Sequence, residues 1–420
     1  MADHIRMRDY RDMDLGGKRI LLRMDINSPL DPQTKKITDR TRIHKGLPTL
    51  LRLLQAGARV AIIAHQGDTL DYQNLIPLEE HAQILQELSG FPVAYIDDVC
   101  GPAARKAVLD LKPGEAVLLG NLRYLAEEIS TFETVVKLSP AQMTQTWLVR
   151  SLAPLFDGYV NDAFSAAHRA APSMVAFEEV LPSAAGELFF KEYSVLSNVL
   201  HNPAKPSVFV LGGAKISDAF GMMEQVLKNG TADKILVCGV TGVVFLLAQG
   251  KQIGRAYETW LSEHKLMDFV APARQYLEMY PGRIEAPCDL AYEKDGRREE
   301  ISIDALPLDD AMFLDIGSQT LERFKAVIGQ AGTIFVNGPA GVYENALFEK
   351  GTRGLWSAIA NAPGFSVIGG GDSVQAAGKF IDLKKIGYVA SAGGAMVRFM
   401  TGKTLPLVKA METAFEKEGK

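Results

Sequence analysis

The chain has 420 residues, enough for two or three domains at about 100–200 residues each. Apolar residues make up 47% and charged residues 23%, which supplies a sizeable core and excludes a largely disordered chain. Lys and Arg number 45 against 50 Asp and Glu, a net charge of −5, so bulk charge points neither to nucleic acid nor to an anionic membrane.

Residues 1–12 hold no apolar stretch, so no secretory signal is expected. Residues 19–24 read as a strand. Over 41–56, Ile43, Leu47, Leu50, Leu51 and Leu54 fall at helical spacing; Gly57 ends the run and 59–63 reads as the next strand. Helices over 78–88 and 103–111 alternate with strands at 93–96, 116–119 and 158–160, and a long helical stretch covers 184–200. The alternation resumes with strands at 207–211 and 234–238 around a helix over 220–227, then strands at 311–314, 333–336, 366–368 and 388–390. Near-continuous apolar strands separated by helices predict parallel sheets covered on both faces, an α/β fold.

The longest apolar run, 235–248, is 14 residues with two glycines, short of the ~20 that a spanning helix needs. Cys100, Cys238 and Cys288 lack disulfide or zinc-ligand spacing, which fits a reducing, cytoplasmic setting. Cys238 and Cys288 sit in apolar runs and are expected in the core, Cys100 at an exposed edge. His4, His44, His81, His201 and His264 show no ligating pattern. The polar, proline-bearing segment 201–206 follows the long helical stretch and marks a seam between two doubly wound halves, whose ligands are expected at the carboxyl ends of their strands.

The residues just past each strand carry the chemistry. In the second half the strand ending at Leu211 runs into Gly212, Gly213, Ala214 and Lys215. Glycines let backbone approach a phosphate, lysine adds a point charge, and the next helix offers its N–H groups. Asn337-Gly-Pro339, Gly369-Gly370-Gly371-Asp372-Ser373 and Ser391-Ala-Gly393-Gly394 come after three later strands. One such turn is ordinary turn chemistry; four in one half, with a lysine and with Asp372 as a magnesium ligand, predict a nucleotide cradle. Neither a complete P-loop nor a GxGxxG fingerprint is present.

The first half ends its strands with Asp25 and Asn27, His65, Arg123, and His168 with Arg169, while Arg42 opens a helix. Guanidinium forks match carboxylate and phosphate oxygens, so this set predicts a small, multiply anionic ligand.

The blocks LLRMDINSPLD (21–31), VNDAFSAAHRAAPSMV (160–175), VLGGAKISDA (210–219), DIGSQT (315–320), VNGPAGVYE (336–344), IGGGDSVQAA (368–377) and GKTLP (402–406) resemble those of the phosphoglycerate kinase family, in its order and in the wording of its archaeal-type branch. The resemblance implies two Rossmann-like lobes closing about a hinge: a substrate lobe over 1–186 completed by 405–420, a connecting helix over 187–203, and a nucleotide lobe over 204–404. It implies reversible phosphoryl transfer between 1,3-bisphosphoglycerate and ADP, with Mg²⁺, and a monomer or homodimer that binds 3-phosphoglycerate and an adenine nucleotide. By motif, Asp25, Asn27, Arg42, His65, Arg123, His168 and Arg169 resemble the phosphoglycerate site, Arg42 also facing the transferring group. Gly212, Gly213, Lys215, Asn337, Pro339, Glu344, Gly370, Gly371 and Ser373 resemble the nucleotide site, Glu344 as the ribose-binding acid. Asp372 would hold Mg²⁺, and Gly393 and Gly394 would turn N–H groups toward the phosphoryl in flight.

Four positions depart from the family pattern. Asp68 stands where an arginine would help hold the substrate phosphate; a like charge ~5 Å from a phosphate costs roughly 3 kcal/mol at an effective dielectric of about 20. Gly120 replaces a structural glutamate, Ala219 a second lysine, and the turn at 391–395 is one glycine short. These departures leave open a kinase of another small carboxylate, or a non-catalytic nucleotide-binding homologue. Retention of Arg42, Lys215 and Asp372 speaks against the latter.

Overall fold

A strand with apolar side chains on both faces needs cover on both sides, and the described residues, 6–67 and 74–418 of a computed structural model, meet that need twice. The chain divides into two compact units, Met1–Ser194 with Thr404–Lys420, and Val195–Lys403. The division falls inside one helix, Glu187–His201.

In the first unit, β1 (Arg19–Arg23), β2 (Arg59–Ile63), β3 (Val93–Tyr95), β4 (Ala116–Leu118), β5 (Gly158–Asn161) and β6 (Ser183–Ala185) form one parallel sheet in the order β3-β4-β2-β1-β5-β6. β1 lies between β2 and β5, in register Leu22↔Ile62 and Leu22↔Val160. The chain winds one way to β2 and the other way to β5, and a crevice opens where those directions part. Helix Thr41–Gln55 covers one face through Ile43, Thr49, Leu50, Leu53 and Leu54, the apolar ones joined to Ile20, Leu22, Val60 and Ile62 in one core. The helical stretch read from residue 184 begins three residues later, because 183–185 pairs with β5 as an edge strand. The terminal helix Pro406–Glu418 belongs to this unit, with the Leu407 N–H on the Ala167 carbonyl at 3.3 Å.

The second unit holds β7 (Ser207–Leu211), β8 (Lys234–Val237), β9 (Ile284–Glu285), β10 (Asp289–Lys294), β11 (Arg297–Ser302), β12 (Phe313–Ile316), β13 (Thr333–Asn337), β14 (Phe365–Ile368) and β15 (Tyr388–Val389). Six of them make a parallel sheet, β15-β14-β13-β7-β8-β9, again with its first strand inside. The other three form an antiparallel sheet, β11-β10-β12. That sheet corrects the expectation of parallel strands alone: the run read at 311–314 is β12, two residues later, and pairs antiparallel with β10. β10 and β11 join at Asp295 and Gly296, both with positive φ (49° and 72°), as a two-residue hairpin turn requires. The apolar run at 235–248 splits into β8 and the helix Gly239–Ala248. No helix among the described residues is long and apolar enough to cross a membrane.

Two cysteine expectations are reversed. Cys100 is buried just before helix Pro102–Asp110, and Cys288 is only half-buried, next to the start of β10; Cys238 is buried. Burial of Cys100 pushes its thiol up to about 12.

The start of helix Glu187–His201 is tied to the sheet by a buried carboxylate. The Oδ1 of Asp162 accepts the Phe189 N–H at 3.0 Å, and Thr49 Oγ1 accepts the Glu187 N–H at 2.9 Å. Gly186 must be glycine, since a Cβ there would lie 2.3 Å from that Oδ1. Burial pushes the Asp162 carboxyl up to about 7, against its hydrogen bonds from Phe189, Thr49 and Leu188. The folded chain therefore holds this proton where the unfolded chain has released it, and Asp162 subtracts stability as pH rises from about 4 through 7. The Asp162→Asn variant is expected to gain on the parent by about 2–4 kcal/mol between pH 4 and pH 8. Denaturant unfolding at both pH values reads this; an equal change in stability for the two proteins contradicts it.

Candidate active site

Every strand of the first sheet ends on the same side, and there its charged residues gather. Arg23, the last residue of β1, is buried. Its Nη1 donates to the Met24 carbonyl at 2.5 Å and its Nη2 lies 2.9 Å from His65 Nδ1, just past β2. A guanidinium only donates, so Nδ1 accepts and the proton sits on Nε2. Burial, then Arg23, Arg123, Arg169 and Arg42, hold His65 well below the ordinary histidine range. The imidazole is thus neutral and still offers one N–H to an anion.

Arg23, His65, Arg123 and Arg169 line one small cavity with Leu122, Glu128 and Met174. The Arg123 Nη1 donates to the Glu128 carbonyl at 2.7 Å, and Arg169 is paired with Glu133. The Glu128 carboxylate accepts the Ser173 N–H and hydroxyl at 2.7 and 2.6 Å, though burial pushes its pKa up. Asp25, Asn27 and Arg42 stand outside that lining. Asp25 Oδ2 accepts Arg42 Nη1 at 2.6 Å and the Ser165 hydroxyl, and Asn27 Oδ1 accepts the Gly67 N–H at 3.0 Å. His168 is half-buried beside Arg169 in the loop after β5.

Gln66 ties these loops together. Its side chain exchanges hydrogen bonds with Ser28 (N–H to Oε1 2.8 Å, Nε2 to carbonyl 2.9 Å), and its N–H reaches Asn121 Oδ1 at 3.2 Å. The buried His81 Nε2 lies 3.1 Å from the same Oε1, a partner that spacing alone does not suggest. Asp68 lies outside the described residues. Gly120 sits with its N–H on the Asp98 carbonyl at 3.0 Å, where a Cβ would lie 3.1 Å from Asp98 backbone, so a side chain here needs that backbone to yield by a few tenths of an ångström.

In the second unit three helices begin where strands of the sheet end: Ile216–Lys228 after β7, Gly371–Phe380 after β14 and Gly393–Met400 after β15. Their first N–H groups and dipoles favour negative charge. A cleft of about 710 Å³ runs across these ends. Gly212, Gly213, Lys215, Asn337, Pro339, Gly370, Gly371, Asp372, Ser373, Gly393 and Gly394 all line it, and so do Lys403 of the GKTLP block and Arg398, a cation that the motifs do not mark. Its floor depends on backbone approach: a Cβ on Gly212 would lie 2.3 Å from the Pro339 carbonyl oxygen. Lys215 Nζ stands 3.5 Å from Asp372 Oδ2, both exposed. The turn at 391–395, short by one glycine, still places Gly393 as the first helical residue, with Ala392 and Ala395 buried beside it. Ala219 is buried within its helix.

Glu344 lies on a second recess of about 320 Å³ that shares Gly213, Ala214, Pro339 and Asp372 with the cleft; its other walls include Val240, Val243, Tyr257, Leu290, Phe313 and Tyr343, together with Asp315. Among the described residues no group of three His, Cys, Asp or Glu could hold a metal ion.

Two doubly wound sheets, one ending in cations and the other in glycine turns, define an α/β phosphotransferase. A family model described as phosphoglycerate kinase matches residues 10–403. The phosphoglycerate kinase of Methanothermus fervidus is 40% identical over 409 residues, 97% of this chain and 98% of that one, and that of Thermococcus kodakarensis 39% over 411 residues, 97% of each. The crystal structure of the Pyrococcus horikoshii OT3 phosphoglycerate kinase superposes with a TM-score of 0.85 at 36% identity, covering 98% of this chain and 100% of that one. The Coxiella burnetii enzyme gives 0.82 at 31% identity, covering 99% and 100%. The chain belongs to the phosphoglycerate kinase family.

The neutral His65 can be read directly. In ¹H–¹⁵N spectra its ring is expected to stay neutral, with the proton on Nε2, as pH falls through the ordinary histidine range near 6.5. A His65 titration near 6.5 contradicts the buried, arginine-ringed geometry.

Proposed function

We propose that this chain transfers a phosphoryl group reversibly between the carboxyl oxygen of 1,3-bisphosphoglycerate and the terminal phosphate of ADP, giving 3-phosphoglycerate and ATP. The observation that carries this reading is the pocket of Arg23, His65, Arg123 and Arg169 at the strand ends of one sheet. A phosphate and a carboxylate on a three-carbon acid suit such a set of fixed donors. Near-full-length kinship to phosphoglycerate kinases supports the same assignment.

In the direction of ATP formation, the bond between the acyl oxygen and phosphorus breaks, and a β-phosphate oxygen of ADP forms the new one. The leaving carboxylate and the attacking oxygen are both anions, so no proton has to move and no general base is required. Catalysis then rests on in-line positioning and on neutralising charge spread over the moving oxygens. His65, as a neutral Nε2–H donor, contributes binding rather than proton transfer. Arg123, Arg169 and His168 hold the acid's phosphate, and Asp25 and Asn27 orient the acid. The Asp25 carboxylate also restrains Arg42, leaving its remaining N–H groups to meet the transferring phosphoryl.

Gly212, Gly213, Gly370, Gly371 and Ser373 cradle the nucleotide phosphates and Lys215 neutralises them. Asn337 and Pro339 line the nucleotide side, and Glu344 accepts from the ribose hydroxyls beside the apolar recess that takes the base. Asp372 would hold Mg²⁺, which when bound offsets phosphate charge. Gly393 and Gly394 present helix-terminal N–H groups to the group in transfer. Direct transfer requires the two bound ligands, one to each unit, to come within bonding reach during turnover. That step also excludes water, which would hydrolyse an acyl phosphate.

Turnover of 3-phosphoglycerate with ATP, coupled to reduction of the acyl phosphate, tests the assignment. The parent is expected to turn over, and Arg42→Ala to lose on the order of 10³–10⁵ in kcat while ADP affinity, measured by calorimetry, is retained. An Arg42→Ala protein that turns over normally removes the proposed role. A parent protein inert toward 3-phosphoglycerate removes the function.

A further inference from the structure

Among the three arginines of the small cavity, Arg169 stands apart in what holds it. Its Nε donates to Glu133 Oε1 at 2.5 Å, its Nη2 contacts the same oxygen, and the neighbouring Ala170 N–H donates to Oε2 at 2.9 Å. Both side chains are largely withdrawn from solvent, at 16% and 13% exposure. One guanidinium N–H, a second guanidinium nitrogen close by without a hydrogen bond of its own, and an adjacent backbone N–H around one anion form the arrangement that a phosphate oxygen pair would take.

The carboxylate reaches this place from a surface turn. Glu133 lies in a single π-helical turn, Phe132–Val136, with Val135 and Val136 exposed (72% and 49%) and with Lys137 in a left-handed conformation (φ 54°) directly after it. π-turns are uncommon and cluster at functional sites. None of Phe132–Val136 is buried, so the turn can withdraw without opening a core. Glu128, by contrast, is buried and fixed to Ser173, and acts as part of the wall.

We propose that Glu133 is an affinity-determining residue of the acid-phosphate site: an internal competitor whose carboxylate holds the ligand's place on Arg169 and must leave before the ligand's anion can bind there. This rests on the reading of that pocket as the acid-phosphate site. Arg169 cannot give its Nε–H, or the space beside it that the Glu133 carboxylate fills, to two anions. Apparent affinity for every anion that uses Arg169 is therefore reduced by one common factor, the fraction of molecules in which Glu133 has withdrawn. Ligands that bind the other unit are untouched by it.

Calorimetry on the full chain decides the matter, with 3-phosphoglycerate and inorganic phosphate as probes. The Glu133→Gln variant is expected to bind both more tightly, by the same factor, about tenfold if Glu133 holds Arg169 in about nine molecules of ten. Its KM for 3-phosphoglycerate falls in step. A merely structural role for Glu133 predicts the reverse, weaker binding from a loosened turn. Unchanged or weaker affinity in Glu133→Gln overturns the proposal; Glu133→Asp, whose shorter side chain also lifts the carboxylate off Arg169, provides a second protein with the same expected gain. Arg169→Ala separates the two layers of inference. Loss of phosphate affinity in Arg169→Ala with no gain in Glu133→Gln removes only the competitor; undiminished affinity in Arg169→Ala removes the pocket assignment itself.

Discussion

Arg23, Arg42, Arg123 and Arg169 all act on one imidazole, and gathering them sets positive charge against positive charge. Two guanidinium groups ~6 Å apart at an effective dielectric of about 20 repel by roughly 3 kcal/mol, so the cluster stands only because anions and carbonyls are placed among them. Asp25 holds Arg42, Glu133 holds Arg169, the Glu128 carbonyl holds Arg123, and His65 stays neutral against Arg23. The rest of the first unit depends on that arrangement. The sheet interior is apolar on both faces, so the charges gather at strand ends, and the crevice beside β1 is where the winding of the chain reverses. A ligand that brings its own negative charge relieves the same repulsion, which is why such a site is poised for an anion.

The second unit answers a similar demand with backbone instead of side-chain charge. Three helix starts face one cleft, and glycines let main chain pack against main chain where a Cβ would collide, as at Gly212 against Pro339. Partial charges from peptide dipoles repel one another far less than four guanidinium groups do, so this cleft is wide and exposed where the first pocket is small and crowded. The contrast supports the proposed division of labour, a compact acid on one unit and a longer phosphate chain on the other.

Much of this is legible in the residues. Strands 207–211 and 59–63 can be read at their observed bounds because both are short apolar runs rich in Val and Ile, the first stopped by Gly212 and the second preceded by Gly57. The glycine turns and strand-end cations are visible from their positions alone. Other features need the fold. Arg23 looks like part of an apolar strand, yet an arginine closing a strand buried on both faces is itself a signal, since only a functional or paired charge persists there. The antiparallel sheet is hidden by the charge of β10 and β11, although Asp295-Gly296 between them is a hairpin sign. Glu133 carries no signal of its own: its place on Arg169 comes from a residue 36 positions away. The same is true of Gln66 and His81, whose joint role exists only once three loops meet.

A crystal structure of the protein with 3-phosphoglycerate bound tests the central claim most directly. The account predicts the ligand phosphate among Arg123, Arg169 and His65 Nε2, with its carboxylate toward Arg42. A ligand held elsewhere, with that pocket still closed on its own carboxylates, contradicts it.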